Sequence, residues 1–156
     1  MVNQATDKCW STRFIHEGGI DDTGLFRESL YEFSVELMSS ALPLIVKTAN
    51  NKNDCGENRE KWILNPASSS PSHLDMYEFL GAMIGMSVRA DHLLNIEMAS
   101  PFWKNILQLP LDLNDLSAID TLAVKSIENL KKMRDTGAGN EIEYLDYNFT
   151  TILSSG

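Results

Sequence analysis

Between Leu74 and Val88 apolar residues point in almost every direction around a helix, with Asp75, Glu78 and Ser87 as the main exceptions. Such a segment is stable only when protein surrounds it, so the sequence predicts a central core helix that the rest of the chain must wrap. Gly81 and Gly85 inside the run cost roughly 1 kcal/mol each relative to Ala. Their spacing suits close approach of a neighbouring backbone on one side, which makes packing their expected use. Met76, Met83 and Met86 could form an adaptable binding surface, but methionines interspersed in an apolar helix read as core filler.

The flanking segments supply elements to pack on that helix. Asp21, Asp22 and Thr23 follow a Gly-rich stretch and can accept hydrogen bonds from the first N–H groups of a helix while suiting its positive end. From there Phe26, Leu30, Phe33 and Leu37 recur at helical spacing, and Glu28, Glu32 and Glu36 form a separate acidic stripe. Pro43 argues against continuation past Ser40. Leu44, Ile45 and Val46 then read as a brief strand, and Trp62, Ile63 and Leu64 as a second that pairs with it in a long-looped hairpin. Thr48 to Lys61 reads as a loop with almost nothing to bury, given Asn50, Asn51, Asn53, Asp54, Gly56 and Asn58. Ser68 to Ser72 is a second solvated connection, with Ser70 or Ser72 able to cap the core helix.

Beyond the core helix, Ser100 and Pro101 suit the start of a short helix whose buried side would be Phe102, Trp103, Ile106 and Leu107. Asn114 and Asp115 can start another. Ile119, Leu122, Val124, Ile127, Leu130 and Met133 carry the next toward Gly137 and Gly139. Leu145, Tyr147, Phe149, Thr151 and Leu153 alternate with Asp146, Asn148 and Thr150, as in a strand with one apolar face. Its open edge would be met by the Trp10–Phe14 segment, by a second copy in a dimer, or by further sequence. The expected class is mainly α with short β-strands, an α+β fold.

With 156 residues and 43% hydrophobic content the chain is sized for one globular domain. Thirteen Lys and Arg against 22 Asp and Glu give a net charge of -9. That sign disfavours nucleic acid and anionic lipid surfaces as partners. The longest nearly uncharged run, Phe79 to Val88, is about half a bilayer span, and no leader pattern stands at the N-terminus. Cys9 and Cys55 are the only cysteines. No second ligand stands near either at metal spacing, so two free thiols in a reducing compartment are expected. Cytoplasmic residence follows, with the nucleus as an alternative.

A search for catalytic chemistry nominates no residue. Asp91-His92 superficially suggests a metal-dependent hydrolase, but the pair is reversed from that class and no other histidine stands at ligand spacing; a surface or helix-end histidine is the better reading. Asp21 and Asp22 as an acid/base pair lose to turn and capping roles. Gly18-Gly19 lacks the Lys and hydroxyl residue of a phosphate-binding loop. Cys55 has Lys52 and Lys61 nearby in sequence but also Asp54, Glu57 and Glu60, which offset any lowering of its pKa. No cofactor and no metal are expected.

Five short segments in order resemble one family, the HECT ubiquitin ligases. Its Gly-Glu-x-Gly-x-Asp-x-Gly-Gly-x-x-Arg-Glu opening is similar to Glu17, Gly19, Asp21, Gly24, Arg27 and Glu28. His16 stands where a Gly is usual, and Thr23 replaces the first Gly of the pair. Asn65 and Pro66 match an Asn-Pro after a short strand, and Phe79, Gly81 and Gly85 match a Phe-x-Gly-x-x-x-Gly helix. Leu113, Asp115, Leu116 and Asp120 match a Leu-x-Asp-Leu-x-x-x-Asp segment, and Leu145, Asp146 and Phe149 a closing strand. Trp10–Thr12 and Asn58-Arg59-Glu60 resemble most the giant HERC-type branch.

The resemblance implies the large subdomain of a HECT N-terminal lobe, with residues 1–9 as a tail and 10–156 as a partial HECT domain. In such ligases an E2 enzyme docks on a small subdomain, ubiquitin moves to a cysteine of a C-terminal lobe, and a substrate lysine attacks that thioester. By family order both of those parts follow Gly156, which leaves this stretch as scaffold, with the remainder of the domain as its partner. E2 and ubiquitin would be partners through the parent protein. A stand-alone interaction module and an unrelated small hydrolase are the other readings.

Overall fold

A computed structural model describes residues 10–16, 18 and 24–137. Its elements are α1 (Gly24–Leu37), β1 (Ile45–Lys47), α2 (Ala49–Lys52), β2 (Trp62–Leu64), α3 (Pro71–Ala90), α4 (Ser100–Ile106), α5 (Leu113–Ser117) and α6 (Thr121–Asp135). The mainly helical α+β class holds. The chain divides into two compact units, one made of residues 1–44 and 68–96 and the other of 45–67 and 97–156.

The first unit is built on α1 and α3. Phe26, Leu30, Ser34 and Leu37 are the buried face of α1, and Ser34 Oγ donates to the Leu30 carbonyl at 2.9 Å, so the polar side chain on that face is hydrogen-bonded. Phe26, Leu30 and Met83 form the core, with Trp10, Phe33, Met86 and Leu94 packed against it. Trp10 is held by its indole N–H, which donates to Ser29 Oγ at 3.2 Å, and by its ring, 4.8 Å from that of Phe26. Ser70 caps α3 by accepting the His73 N–H, and Pro71 takes the first turn, where its missing N–H costs nothing. Asp91 closes α3 in the left-handed conformation that a C-terminal cap uses.

Two expectations for α3 are corrected. Its described surroundings cover one face only, at Leu80, Met83 and Ser87, while Leu74, Met76, Phe79 and Val88 are exposed. A Cβ placed on Gly81 or Gly85 meets nothing within 4 Å, so these glycines admit no neighbouring backbone within the described residues. Of the three methionines, Met83 fills the core, Met86 packs against it, and Met76 does not. His92, expected at the surface or at a helix end, stands at the helix end and is 6% exposed, with its ring 5.1 Å from Phe26.

The second unit holds the hairpin. β1 and β2 pair antiparallel with Ile45 opposite Leu64, Val46 opposite Ile63 and Lys47 opposite Trp62. The first strand thus starts one residue later than the sequence suggested. On the other side of β2, the Trp62 N–H donates to the Glu97 carbonyl at 2.8 Å, and the Trp62 carbonyl accepts from the Ala99 N–H at 2.9 Å. The segment between the strands is not a plain loop. Thr48 caps the short helix α2 through the Asn51 N–H, and both Thr48 and Asn50 are 0% exposed. After α2 the chain turns through Asp54, Gly56 and Asn58, all at positive φ. At Gly56 the side chain is excluded by contact, because a Cβ would lie 2.1 Å from Thr121 Oγ1.

The short helix α4 also differs from expectation. Its cap is Ala99, without a side-chain bond, because the Ser100 hydroxyl is turned to Asp115 instead. None of its residues is fully buried, and Ile106 and Leu107 are exposed. The first helix of the pair that follows starts on Asp112 rather than on Asn114 or Asp115, and the second starts on Asp120. Beyond α6, Gly137 takes positive φ, as the sequence led one to expect of the residue past a helix end. The caps Asp21, Asp22 and Thr23, together with Cys9, Gly139 and the Leu145–Leu153 strand, lie outside the described residues.

Candidate functional site

Asn50 lies at the centre of the second unit. Its amide nitrogen donates to the Glu57 carbonyl at 3.0 Å and the Ser117 carbonyl at 2.9 Å, and its amide oxygen accepts the Thr121 N–H at 2.8 Å. Its backbone is bonded too, the N–H to the Ile119 carbonyl at 3.0 Å and the carbonyl to the Cys55 N–H at 3.1 Å. A fully buried amide is tolerable only when satisfied in this way. It ties α2, the turn after it and the α5–α6 junction into one polar hub.

Asp115 builds a second hub. Its side chain is 6% exposed, and its carboxylate accepts from Lys104 Nζ at 2.7 Å, the Asp112 N–H at 2.9 Å and Ser100 Oγ at 3.1 Å. Asp112 reciprocates by accepting the Asn114 and Asp115 N–H groups, so the two carboxylates form a capping box at the start of α5. Asp120 caps α6 through the Ala123 N–H at 2.9 Å. Two acids of the sequence pattern are therefore helix-start residues, and Asp112, absent from that pattern, completes the box. An acid three residues ahead of Asp115 was the sequence signal for it.

The hydrogen bond from Lys104, then that from the Asp112 N–H, holds the Asp115 carboxyl below the usual aspartate range; the bond to Asp115 raises Lys104 above the usual lysine range. The folded Asp115 gives up its proton more readily than the unfolded one. Its contribution is therefore present above the unfolded value of about 3.9 and is lost as pH falls through the lower folded value. The lysine half is present below about 10.4 and lost as pH rises through the higher folded value. Urea midpoints followed downward through the aspartate range are expected to fall, and Asp115→Asn should flatten that dependence; an unchanged slope would rule out this ion pair as its source.

Each unit also carries apolar surface. In the second unit Ile63, Leu64, Pro101, Phe102, Asn105 and Ile106 line a groove of about 440 Å³. The connection from α4 to α5 adds exposed Leu107, Leu109 and Leu111, with Leu113 at the start of α5. Within the first unit the bare side of α3 presents Leu74, Gly81, Gly85 and Val88. Runs of exposed apolar side chains of this kind mark contact surfaces.

The remaining sequence-selected residues fall in both units. Arg27 and Glu28 are exposed on α1, and Gly24 begins it. Phe79 stacks edge-on against Phe33 at 5.9 Å. Asn65 Oδ1 accepts the Ala67 N–H at 3.0 Å in a turn through Pro66. Glu17, Gly19, Asp21, Leu145, Asp146 and Phe149 lie outside the described residues. His16, which replaces the family's glycine, has φ 73°, so the turn keeps the left-handed shape that glycine favours. The free thiol of Cys55 is half-buried. Among the described residues no three His, Cys, Asp or Glu side chains converge as a metal site would require, and no helix is long and apolar enough to cross a membrane.

A family model described as HECT-domain (ubiquitin-transferase) matches residues 27–155. E3 ubiquitin-protein ligase HERC2 of Mus musculus is 33% identical over 150 residues, 96% of this chain and 3% of that protein. HERC2 of Homo sapiens gives the same figures, and E3 ubiquitin-protein ligase Nedd-4 of Drosophila melanogaster is 31% identical over 125 residues, 80% of this chain and 12% of that protein. The chain thus spans a small part of the relatives it matches. With a family model covering residues 27–155 and a relative 33% identical over 96% of its length, this chain belongs to the HECT-domain family.

Proposed function

We propose that this chain forms the opening of the N-terminal lobe of a HECT ubiquitin ligase, with residues 1–9 as a tail and 10–156 as the partial domain, and that it serves as scaffold. The parent protein would take ubiquitin from an E2 onto a cysteine outside this chain and pass it to a substrate lysine. The observation that carries this reading is the bare apolar side of α3, where Gly81 and Gly85 leave room for a close neighbour that the described residues do not supply. The remainder of the HECT domain is that neighbour. E2 and ubiquitin are partners of the parent rather than of this stretch, and the cytoplasm is the expected compartment.

Co-expression with the rest of the HERC2 HECT domain tests the proposal, with association and ubiquitin thioester on the HERC2 cysteine as readouts. Both should appear only when the chain is present. Gly85→Leu and Val88→Glu should abolish them without lowering the chain's own unfolding midpoint, because both positions are exposed. A folded chain that never associates would leave the stand-alone interaction module. Thioester on Cys9 or Cys55 would move the chemistry into the chain itself.

A further inference from the structure

Two serines in the sequence precede proline, Ser70 and Ser100, and both are exposed. We infer that Ser70 is a phosphoacceptor for a proline-directed protein kinase and that Ser100 is not. In the transfer, the γ-phosphoryl of ATP moves to Ser70 Oγ. The Oγ–P bond forms, the P–O bond to the leaving ADP breaks, and the hydroxyl proton passes to the kinase.

The two serines differ in what their oxygens do. Ser70 Oγ accepts the His73 N–H at 3.3 Å, a long bond at the start of a 20-residue helix, and shares a hydrogen bond of 3.0 Å with the exposed Ser72 hydroxyl, a neutral partner able to donate to it. A phosphate there would add acceptor oxygens and about -1.5 to -2 of charge at the positive end of α3, which strengthens the same interaction. Ser70 is extended, with φ -68° and ψ 156°, and its neighbours Ser69, Pro71 and Ser72 are exposed, so a kinase can reach it. One more group on that turn lacks a partner: His73 Nδ1 is shielded from solvent and makes no hydrogen bond. A phosphate one turn back offers it an acceptor.

Ser100 Oγ, by contrast, donates its proton to Asp115 Oδ1 at 3.1 Å. A phosphate at that oxygen would remove the donor and set a dianion against a buried carboxylate. Ser68, at the start of the same linker, is buried and donates to the Pro43 carbonyl.

The test is incubation of the 156-residue chain with a proline-directed kinase and ATP, followed by site mapping and thermal unfolding. Phosphate should map to Ser70, fall to background in Ser70→Ala, persist in Ser100→Ala and raise the unfolding midpoint. Incorporation at Ser100, equal incorporation at both serines, or incorporation only after urea unfolding would overturn the inference.

Discussion

Replacing Asn50 with Ala is expected to destabilise the second unit by about 3–5 kcal/mol, since each buried group stranded without its partner costs about 1–3 kcal/mol. The Glu57 and Ser117 carbonyls would lose their donor and the Thr121 N–H its acceptor. Denaturant unfolding should show a lower midpoint at unchanged slope. Asn50→Asp separates polarity from size. It keeps the volume and the acceptor for Thr121, but turns a carboxylate oxygen toward two carbonyls. It should be about as damaging as Ala at neutral pH, and an Asp variant near wild type would refute the donor role.

Phe26→Ala is the corresponding experiment in the first unit. Phe26 is 0% exposed, lies 4.8 Å from the Trp10 ring and 5.1 Å from that of His92, and shares its cluster with Leu30 and Met83. Truncation to Ala removes the transfer energy of the ring and leaves a cavity, together worth about 3–5 kcal/mol. Phe26→Leu should lose less, under about 1.5 kcal/mol, because it keeps most of the volume. With Trp62 and Trp103 replaced by Phe, fluorescence of the remaining Trp10 offers a local reading of the same change. A Phe26→Ala chain with wild-type stability would mean that this cluster does not hold α1 and α3 together.

The elements legible in the sequence were those set by local rules. The 3.6-residue recurrence of Phe26, Leu30 and Leu37, the serine cap of α3, narrowed to Ser70 or Ser72, and the hairpin between Ile45 and Leu64 each depend on neighbours close in sequence or on simple alternation. Asn50 was illegible for the opposite reason. Nothing local separates it from Asn51, Asn53 or Asn58; its burial depends on Ser117 and Thr121, some seventy residues on. For α3 the apolar pattern correctly gave a helix, but periodicity counts apolar faces without saying what covers them. At α5 the acids were recognised and the cap misplaced, because Asp112 and Asp115 act as a pair and only one fell within the recognised pattern. Family membership was legible through several weak matches in order, which no single residue could have supplied.

The partners of the first core, Phe26 on α1 and Met83 on α3, are 57 residues apart in the chain, and the hairpin of the other unit is encoded between them. A ribosome adding ~5–20 residues per second needs roughly 3–10 s to pass from one to the other. For most of that interval Phe26 and Leu30 have been synthesised, with Trp10 and Phe33, while Met83, Met86 and Leu94 have not. The nascent chain therefore presents a half-covered apolar helix for several seconds of every round of translation, a window open to holding chaperones.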